Sequence, residues 1–424
     1  MTTTAIILGG GLGSRSVDPS RAKITQEIAG VPLLNWHLQS LQDSSLRSCV
    51  VVAGHLGDQV ESTLRSIDPG PIHVQLLQEQ VQKGTVAATM FAAENSDATE
   101  FLVILGDIWL SFPIDSFLDS WRSSGKEVAC VVHPSTHPED SDAVFPRHDG
   151  RVIVSPKSTT REHVPNMSSS GVFALTRHGL LRYNDETDLG SGVLAVAAAE
   201  DNLFAYVSSH YFKDTGTAPR LAAARKDAES GAFLRRGSVS PRAALFLDRD
   251  GVINPNQPEF YGPEDYRLLP GVTEQIGKAN RLGVPVIVIT NQPHIAKGLM
   301  TFEAHEQVRA KMDRLLADGG AFVDDYFFCP HHPEVGHAGE IQELKTSCPC
   351  RKPQPGLIQK AVSQHNVDVA SSIYVGDSDR DRDLALLVGL RYIHVGSVSK
   401  LGDFFREFPE SSDAIRCAIE DLLC

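Results

Sequence analysis

The sequence of 424 residues predicts an α/β protein built on two separate sheets. Three observations carry this. Short apolar runs of strand length, each ending in a glycine or an acid, alternate with segments of helical periodicity, the pattern of a mainly parallel sheet. The alternation starts twice, at Ala5-Ile6-Ile7-Leu8 and at Ala244-Leu245-Phe246-Leu247. Between the two, Arg235-Arg236-Gly237-Ser238-Val239-Ser240-Pro241-Arg242 has the Gly, Ser, Pro and charge content of a linker. The expected division is a first domain over 1–234, a linker over 235–242, a second domain over 243–400 and a terminal helix within 401–424.

Composition narrows the function classes. Hydrophobic residues make up 42% and charged residues 22%, ordinary for a globular protein. A net charge of −14 argues against nucleic acid or an anionic membrane as partner. Local cations and backbone N–H groups can still bind phosphorylated small molecules. Met1-Thr2-Thr3-Thr4 lacks the basic region of a signal peptide, and no apolar run is long enough to span a bilayer. Seven cysteines, three of them clustered, fit a reduced cytoplasmic protein with one metal-ligand group better than a disulfide framework. The sequence leaves homo-oligomerisation open.

In the first half, the strand Ala5–Leu8 runs into Gly9-Gly10-Gly11-Leu12-Gly13-Ser14-Arg15. Such a loop can approach a ligand closely and turn several N–H groups toward an anion. Arg15 and nearby Lys23 add charge for phosphate oxygens. Alone this is a weak signal, since a flexible turn reads the same way, and neither the P-loop ending nor the dinucleotide spacing is present. A helix is expected from Val31 to Leu41, strands at Cys49–Ala53, Val74–Leu77 and Phe101–Leu105, and an Ala-rich helix from Val86 to Glu94. Asp107 follows the last of these strands, placing it on the same sheet edge as the glycine loop.

Over roughly residues 1–230 these features resemble sugar-phosphate nucleotidylyltransferases with a glycosyltransferase-A-like, Rossmann-like fold. Gly10-Gly11-Leu12-Gly13-Ser14-Arg15 matches their opening motif, and Lys23 their following lysine, although Ala22 replaces the proline before it. Gly84-Thr85-Val86-Ala87 resembles the element that holds base and ribose, with Gln78 as base reader. Asp107 and, in Asp214-Thr215-Gly216-Thr217, Asp214 match the two carboxylates that hold Mg²⁺. Gly171 matches a sugar-side glycine, without the family's preceding Asn and Ala, and Lys157 is a candidate for a sugar-side lysine. The resemblance implies attack of a sugar 1-phosphate on the α-phosphorus of a nucleoside triphosphate. Arg15 and the glycines would hold the pyrophosphate and Lys23 the α-phosphate. Positioning and charge neutralisation carry such a transfer.

In the second half, Ala244–Leu247 reads as a buried strand ending in Asp248-Arg249-Asp250-Gly251. Two carboxylates there can hold Mg²⁺, or divide nucleophilic and proton-transfer work. A helix is expected from Pro270 to Leu282, and a strand Val284–Ile289 ends in Thr290-Asn291-Gln292. Cys350-Arg351-Lys352-Pro353 places adjacent cations in a loop. The strand Ser372–Val375 ends in Gly376-Asp377-Ser378-Asp379-Arg380-Asp381, with Asp377 suited to complete the Mg²⁺ shell.

This ordered set resembles the haloacid dehalogenase-like phosphatases and their Rossmann-type sheet. The resemblance makes Asp248 the nucleophile, Asp250 the general acid and base, and Thr290 and Lys352 the phosphoryl ligands. Its Mg²⁺ ligands are Asp248, Asp377 and the backbone carbonyl of Asp250. Cys329, His331, Cys348 and Cys350 supply three thiolates and an imidazole, the ligand set of a closed structural Zn²⁺ site; His332 and His337 are rival ligands. The zinc loop would aim Arg351 at substrate, with Asn291 a further candidate contact. Residues 243–397 are similar to D-glycero-D-manno-heptose 1,7-bisphosphate 7-phosphatases and, more loosely, to histidinol-phosphate phosphatases. They depart at Pro293-His294-Ile295-Ala296-Lys297-Gly298, where that family has Ser-Gly-Ile-Ala-Arg-Gly.

Together the halves imply adjacent steps on one sugar: removal of the 7-phosphate, then nucleotidyl transfer to the 1-phosphate. Resemblance to heptose 1-phosphate guanylyltransferases implies GTP. Another sugar bisphosphate, or a phosphatase controlled by a noncatalytic nucleotide-binding half, stays open at this stage.

Overall fold

The computed structural model describes residues 2–10, 20–135, 141–157, 164–237, 239–256, 262–396 and 410–423. The chain forms two compact units. The first comprises Met1–His133, Glu139–Lys157 and Met167–Val239, and the second Pro134–Pro138, Ser158–Asn166 and Ser240–Cys424. The second unit thus takes in the described residues 134–135 and 164–166 from the first half of the sequence. Within it, the Asn166 backbone N–H donates to Asp313 Oδ2 at 3.1 Å and Asn166 Nδ2 donates to the Ser135 carbonyl at 2.9 Å.

Besides a two-residue antiparallel pair, Glu27–Ile28 with Val31–Pro32, the strands described for the first unit are β1 (Thr3–Leu8), β2 (Ser48–Ala53), β3 (His73–Gln78), β4 (Glu100–Leu105), β5 (Ile108–Ser111), β6 (Val128–Pro134), β7 (Ala143–Pro146), β8 (Val152–Ser155), β9 (Met167–Thr176), β10 (Leu203–Val207) and β11 (Tyr211–Asp214). Nine of them make one sheet in the order β8-β7-β9-β4-β1-β2-β3, with β6 beside β9 and β10 beside β6. β4, β1, β2 and β3 run parallel, as the alternation implied. β9 runs antiparallel to β4 and β7, and β7 antiparallel to β8. β6 and β10 are again parallel, so the sheet is parallel at both of these places and antiparallel around β7, β8 and β9. Apolar periodicity reports burial and does not encode strand direction. β5 and β11 form a separate antiparallel pair with Asp214 opposite Ile108.

Arg235, Arg236 and Gly237, expected in the linker, end a helix over Ala232–Gly237. Its Phe233 stacks on Trp109 with ring centroids 4.1 Å apart, and that contact makes the segment part of the first core.

The second unit has five strands: β12 (Leu245–Leu247), β13 (Val286–Asn291), β14 (Asp325–Cys329), β15 (Ile373–Gly376) and β16 (Arg391–His394). They lie in the order β14-β13-β12-β15-β16, all parallel. β12 is central and wholly buried, as a run of apolar residues without alternation requires. The Ser411–Leu423 helix, expected to lie outside the domain, buries Ala414, Ile415, Ala418 and Ile419 in this core. Their spacing places them on one helical stripe. Among the described residues no helix is long and apolar enough to cross a membrane.

Candidate active sites

In the first unit, β1 and β4 are neighbours, and the Gly106 N–H donates to the Leu8 carbonyl at 2.9 Å. That pairing brings the start of the glycine loop beside Asp107. The β5–β11 pairing brings Asp214 to the same place, and the Thr215 N–H and Oγ1 each donate to the Asp107 carbonyl at 2.8 Å. Lys23 Nζ lies 3.0 Å from Asp107 Oδ2. Asp214 Oδ1 accepts from the Gly216 N–H at 2.6 Å, and its Oδ2 faces Arg220 at 2.6 Å. A Cβ on Gly216 would stand 2.9 Å from Asp107 Oδ2, 3.0 Å from Asp214 Oδ1 and 3.2 Å from Lys23 Nζ. Only glycine leaves that convergence open. Gly171, at φ +81°, packs under Ile108 and Leu105 behind this edge, whereas Lys157 is exposed.

A cleft of about 330 Å³ opens over these groups, lined by Gly9, Gly10, Lys23, Gly84, Thr85 and Asp107, and also by Glu79 and Gln82. The Thr85–Glu94 helix starts at its wall, where an N-terminus favours anions. Thr85 Oγ1 donates to Asp188 Oδ2 at 3.0 Å and accepts from the Leu189 N–H at 2.8 Å. Gln78 is exposed and lines a neighbouring depression instead of the cleft. It ends β3, and the next residue, Glu79, turns inward, where burial pushes its carboxyl above the usual range. Strand alternation reverses facing at each step, which sets Gln78 and Glu79 on opposite sides. The sequence reading missed Asp188, a hundred residues from the threonine it holds. Gly11, Gly13, Ser14 and Arg15 lie outside the described residues.

In the second unit, Asp248, Thr290 and Asp377 all stand at the carboxyl ends of neighbouring parallel strands. Lys352, 3% exposed, reaches in from its loop. Its Nζ lies 2.8 Å from Asp248 Oδ1, 2.6 Å from Asp381 Oδ1, 3.0 Å from the Ile289 carbonyl and 3.1 Å from Tyr374 OH. Burial opposes the lysine's charge, but the two carboxylates outweigh it and hold the ammonium protonated. Burial pushes Asp248 upward, Lys352 pulls it back, and Asp381 adds to the push. Asp381 is fully occupied by Lys352, Tyr374 and the Ser378 cap. It positions the lysine, a part the motif alone did not assign.

The Asp250 carboxylate turns aside from this cluster. It accepts from Arg249 at 2.8–3.0 Å, Asn254 at 3.0 Å and Gln292 at 2.8 Å. Burial would raise it, but Arg249 and these hydrogen bonds bring it below the usual range. Asn291, expected at substrate, spends its amide on Lys352. Its Oδ1 accepts from the Lys352 N–H at 3.0 Å, and its Nδ2 donates to the Lys352 carbonyl at 3.2 Å. Arg351 donates to the His331 carbonyl at 3.1 Å.

Ligand atoms of Asp248, Asp377 and Asp381 lie within 4.8 Å of one another. Both Asp381 oxygens are engaged, by Lys352 and Tyr374 on one side and Ser378 on the other, whereas Asp248 meets Lys352 through Oδ1, so Asp248 and Asp377 are the carboxylates suited to share a hard cation. Gly251, at φ +85°, presses so closely on Asp377 that any side chain there would displace it.

The second donor group is Cys329, His331, Cys348 and Cys350. The sulfurs lie 3.1, 3.3 and 3.5 Å apart, and His331 Nδ1 lies 3.3 Å from Cys350 Sγ and 3.6 Å from Cys329 Sγ. Tetrahedral Zn²⁺ with bonds of about 2.0–2.3 Å needs ligand atoms roughly 3.4–3.8 Å apart, so the group fits with slight expansion. His332 and His337 fall outside the group.

Residues 5–240 match the family model of the MobA-like NTP transferase domain, and residues 245–393 that of the polynucleotide kinase 3 phosphatase. D-glycero-beta-D-manno-heptose-1,7-bisphosphate 7-phosphatases are similar to the second half. The Yersinia pestis protein is 35% identical over 147 residues, 35% of this chain and 76% of its own. That of Vibrio cholerae is 37% identical over 149 residues, 35% of this chain and 78% of its own. The crystal structure of HddC from Yersinia pseudotuberculosis is 21% identical and covers 53% of this chain and 99% of its own, at a TM-score of 0.45. The chain is a bifunctional enzyme that belongs, through its first half, to the MobA-like NTP transferases and, through its second, to the D-glycero-beta-D-manno-heptose-1,7-bisphosphate 7-phosphatase family.

Proposed function

We propose that the chain removes the 7-phosphate of D-glycero-D-manno-heptose 1,7-bisphosphate and then transfers GMP from GTP to the heptose 1-phosphate, releasing pyrophosphate. The observation that carries the reading is the presence in one chain of two unlike phosphoryl-transfer sites, the Asp248–Lys352 cluster and the Lys23–Asp107–Asp214 cleft. The sugar follows from the similarity of the second half to the heptose bisphosphatases.

In the phosphatase step Asp248 attacks phosphorus, and Asp250, held ionised by Arg249 before substrate enters, takes up a proton with the incoming monoester and passes it to the departing sugar oxygen. The same carboxylate then deprotonates the water that cleaves the aspartyl-phosphate. Thr290 and Lys352 hold the phosphoryl oxygens. Asp248, Asp377 and the Asp250 carbonyl would hold Mg²⁺, which supplies charge neutralisation. The Cys₃His group would hold Zn²⁺ as a structural clamp on the loop that carries Arg351 and Lys352.

In the transferase step Lys23 and the glycine loop, with Arg15, orient the triphosphate so that the 1-phosphate oxygen approaches the α-phosphorus in line. Asp107 and Asp214 would share Mg²⁺ with substrate phosphates, the form in which that ion is bound by few carboxylates. Glu79 supports guanine. A carboxylate at the cleft wall accepts from N1–H and N2–H₂ together, an edge that adenine, cytosine and uracil do not offer. Two substrate assays test the whole: phosphate release from the bisphosphate, and pyrophosphate release from the 1-phosphate with each of four NTPs. Absence of either refutes it. Glu79→Gln should cost GTP about 10–100-fold in kcat/KM, the size of one lost bidentate contact.

A further inference from the structure

Gln292 directly follows β13 and is 1% exposed. Its amide is fully used. Nε2 donates to Asp250 Oδ2 at 2.8 Å and to Thr290 Oγ1 at 2.9 Å, and Oε1 accepts from Arg249 Nη2 at 3.0 Å. A flipped amide would set oxygen against a carboxylate and NH₂ against a guanidinium, so charge settles its orientation. Arg249 is itself held by Asp250 and by Tyr326 OH at 3.2 Å.

A threonine hydroxyl has one hydrogen and two lone pairs. Because Nε2–H points at Oγ1, the amide offers the Thr290 proton no acceptor. The hydrogen is left for whatever lies over the strand end, beside Asp248 on the adjacent strand β12. We propose that Gln292 is a positioning residue of the phosphatase: it turns the Thr290 hydroxyl into a donor aimed at the transferred phosphoryl group. This rests on the reading of Thr290 as a phosphoryl ligand. A donor oriented before reaction has no reorganisation cost in the transition state, and losing one such donor typically costs about 10²–10³ in rate.

The test is a double-mutant cycle in the full chain, read as competitive inhibition of phosphate release by orthovanadate. Wild type, Thr290→Val, Gln292→Met and the double variant are compared, with zinc content and unfolding midpoint as controls on folding. Each single variant should weaken vanadate about 10-fold or more, and the double should fall no more than about 3-fold below the worse single, the non-additivity of residues that act through one another. If Gln292→Met stays within about 3-fold of wild type, or if the double loses the product of both singles, the inference is overturned while the Thr290 reading stands. If Thr290→Val alone is harmless, the Thr290 reading itself falls, a separate result. Gln292→Glu is the second variant. It keeps the Arg249 contact, sets an oxygen against Asp250 and offers Thr290 an acceptor, so its loss relative to Gln292→Met should be larger in the wild-type background than in the Thr290→Val background, where only the Asp250 repulsion remains. Equal losses in both backgrounds would also overturn the inference.

Discussion

Lys352 is the residue whose loss should be felt most widely. It is the cation between two buried carboxylates, Asp248 and Asp381. Removing one partner of such a group leaves uncompensated charge, typically about 3–5 kcal/mol. Lys352→Met should therefore abolish phosphate release and lower the unfolding midpoint of the second unit, while pyrophosphate release persists. Both are read on one preparation. His37 gives a pH prediction for the first unit. It is buried, with Nε2 2.6 Å from the Ile108 carbonyl, and burial pulls its pKa from 6.5 to about 4, against the opposing pull of that carbonyl and Asp107. Below pH 6.5 the unfolded chain takes up a proton that the folded chain refuses until about pH 4. Stability is thus full above 6.5 and is lost as pH falls toward 4, by up to about 3 kcal/mol. His37→Gln, which keeps an N–H donor for Ile108, should flatten the difference between urea midpoints at about pH 7 and pH 5.

At the scale of elements, the loop carrying the Cys₃His group and the terminal helix both support the second unit from outside its acid cluster. The loop delivers Lys352 to β13, where Asn291 grips its backbone. Under the proposed assignment of zinc to the Cys₃His group, chelation should lower phosphatase activity and leave nucleotidyl transfer unchanged, with metal content and both activities followed together. The Ser411–Leu423 helix is anchored by Ile415 and Ile419, both 0% exposed. Ile415→Ala should destabilise the second unit by about 2–5 kcal/mol, read by chemical denaturation. The strand ends bearing Asp107, Asp248, Thr290 and Asp377 were legible because a short apolar run broken by an acid or hydroxyl has few other meanings. The inward turn of Glu79 and the commitment of Asn291 to Lys352 were not. Each depends on which way one side chain faces, and a motif does not record it.

For the whole molecule, two chemistries in one chain should be separable. Asp107→Ala should abolish nucleotidyl transfer and spare phosphate release. Asp248→Asn should do the reverse when the 1-phosphate is supplied, and should block product formation from the bisphosphate. Product mass spectrometry distinguishes the two blocks. By itself the sequence determined the α/β class, the two-part organisation, the strand-end acids and the Cys₃His group, because burial periodicity and ligand chemistry are properties of residue type and local spacing. The tertiary structure alone decided which strands run antiparallel, that Ser135 and Asn166 bond within the second unit, and that the terminal helix completes its core. It also decided that Asp381 pairs with Lys352 and that Gln292 donates to Thr290. Those outcomes come from packing and hydrogen-bond partners far apart along the chain, which local pattern does not encode.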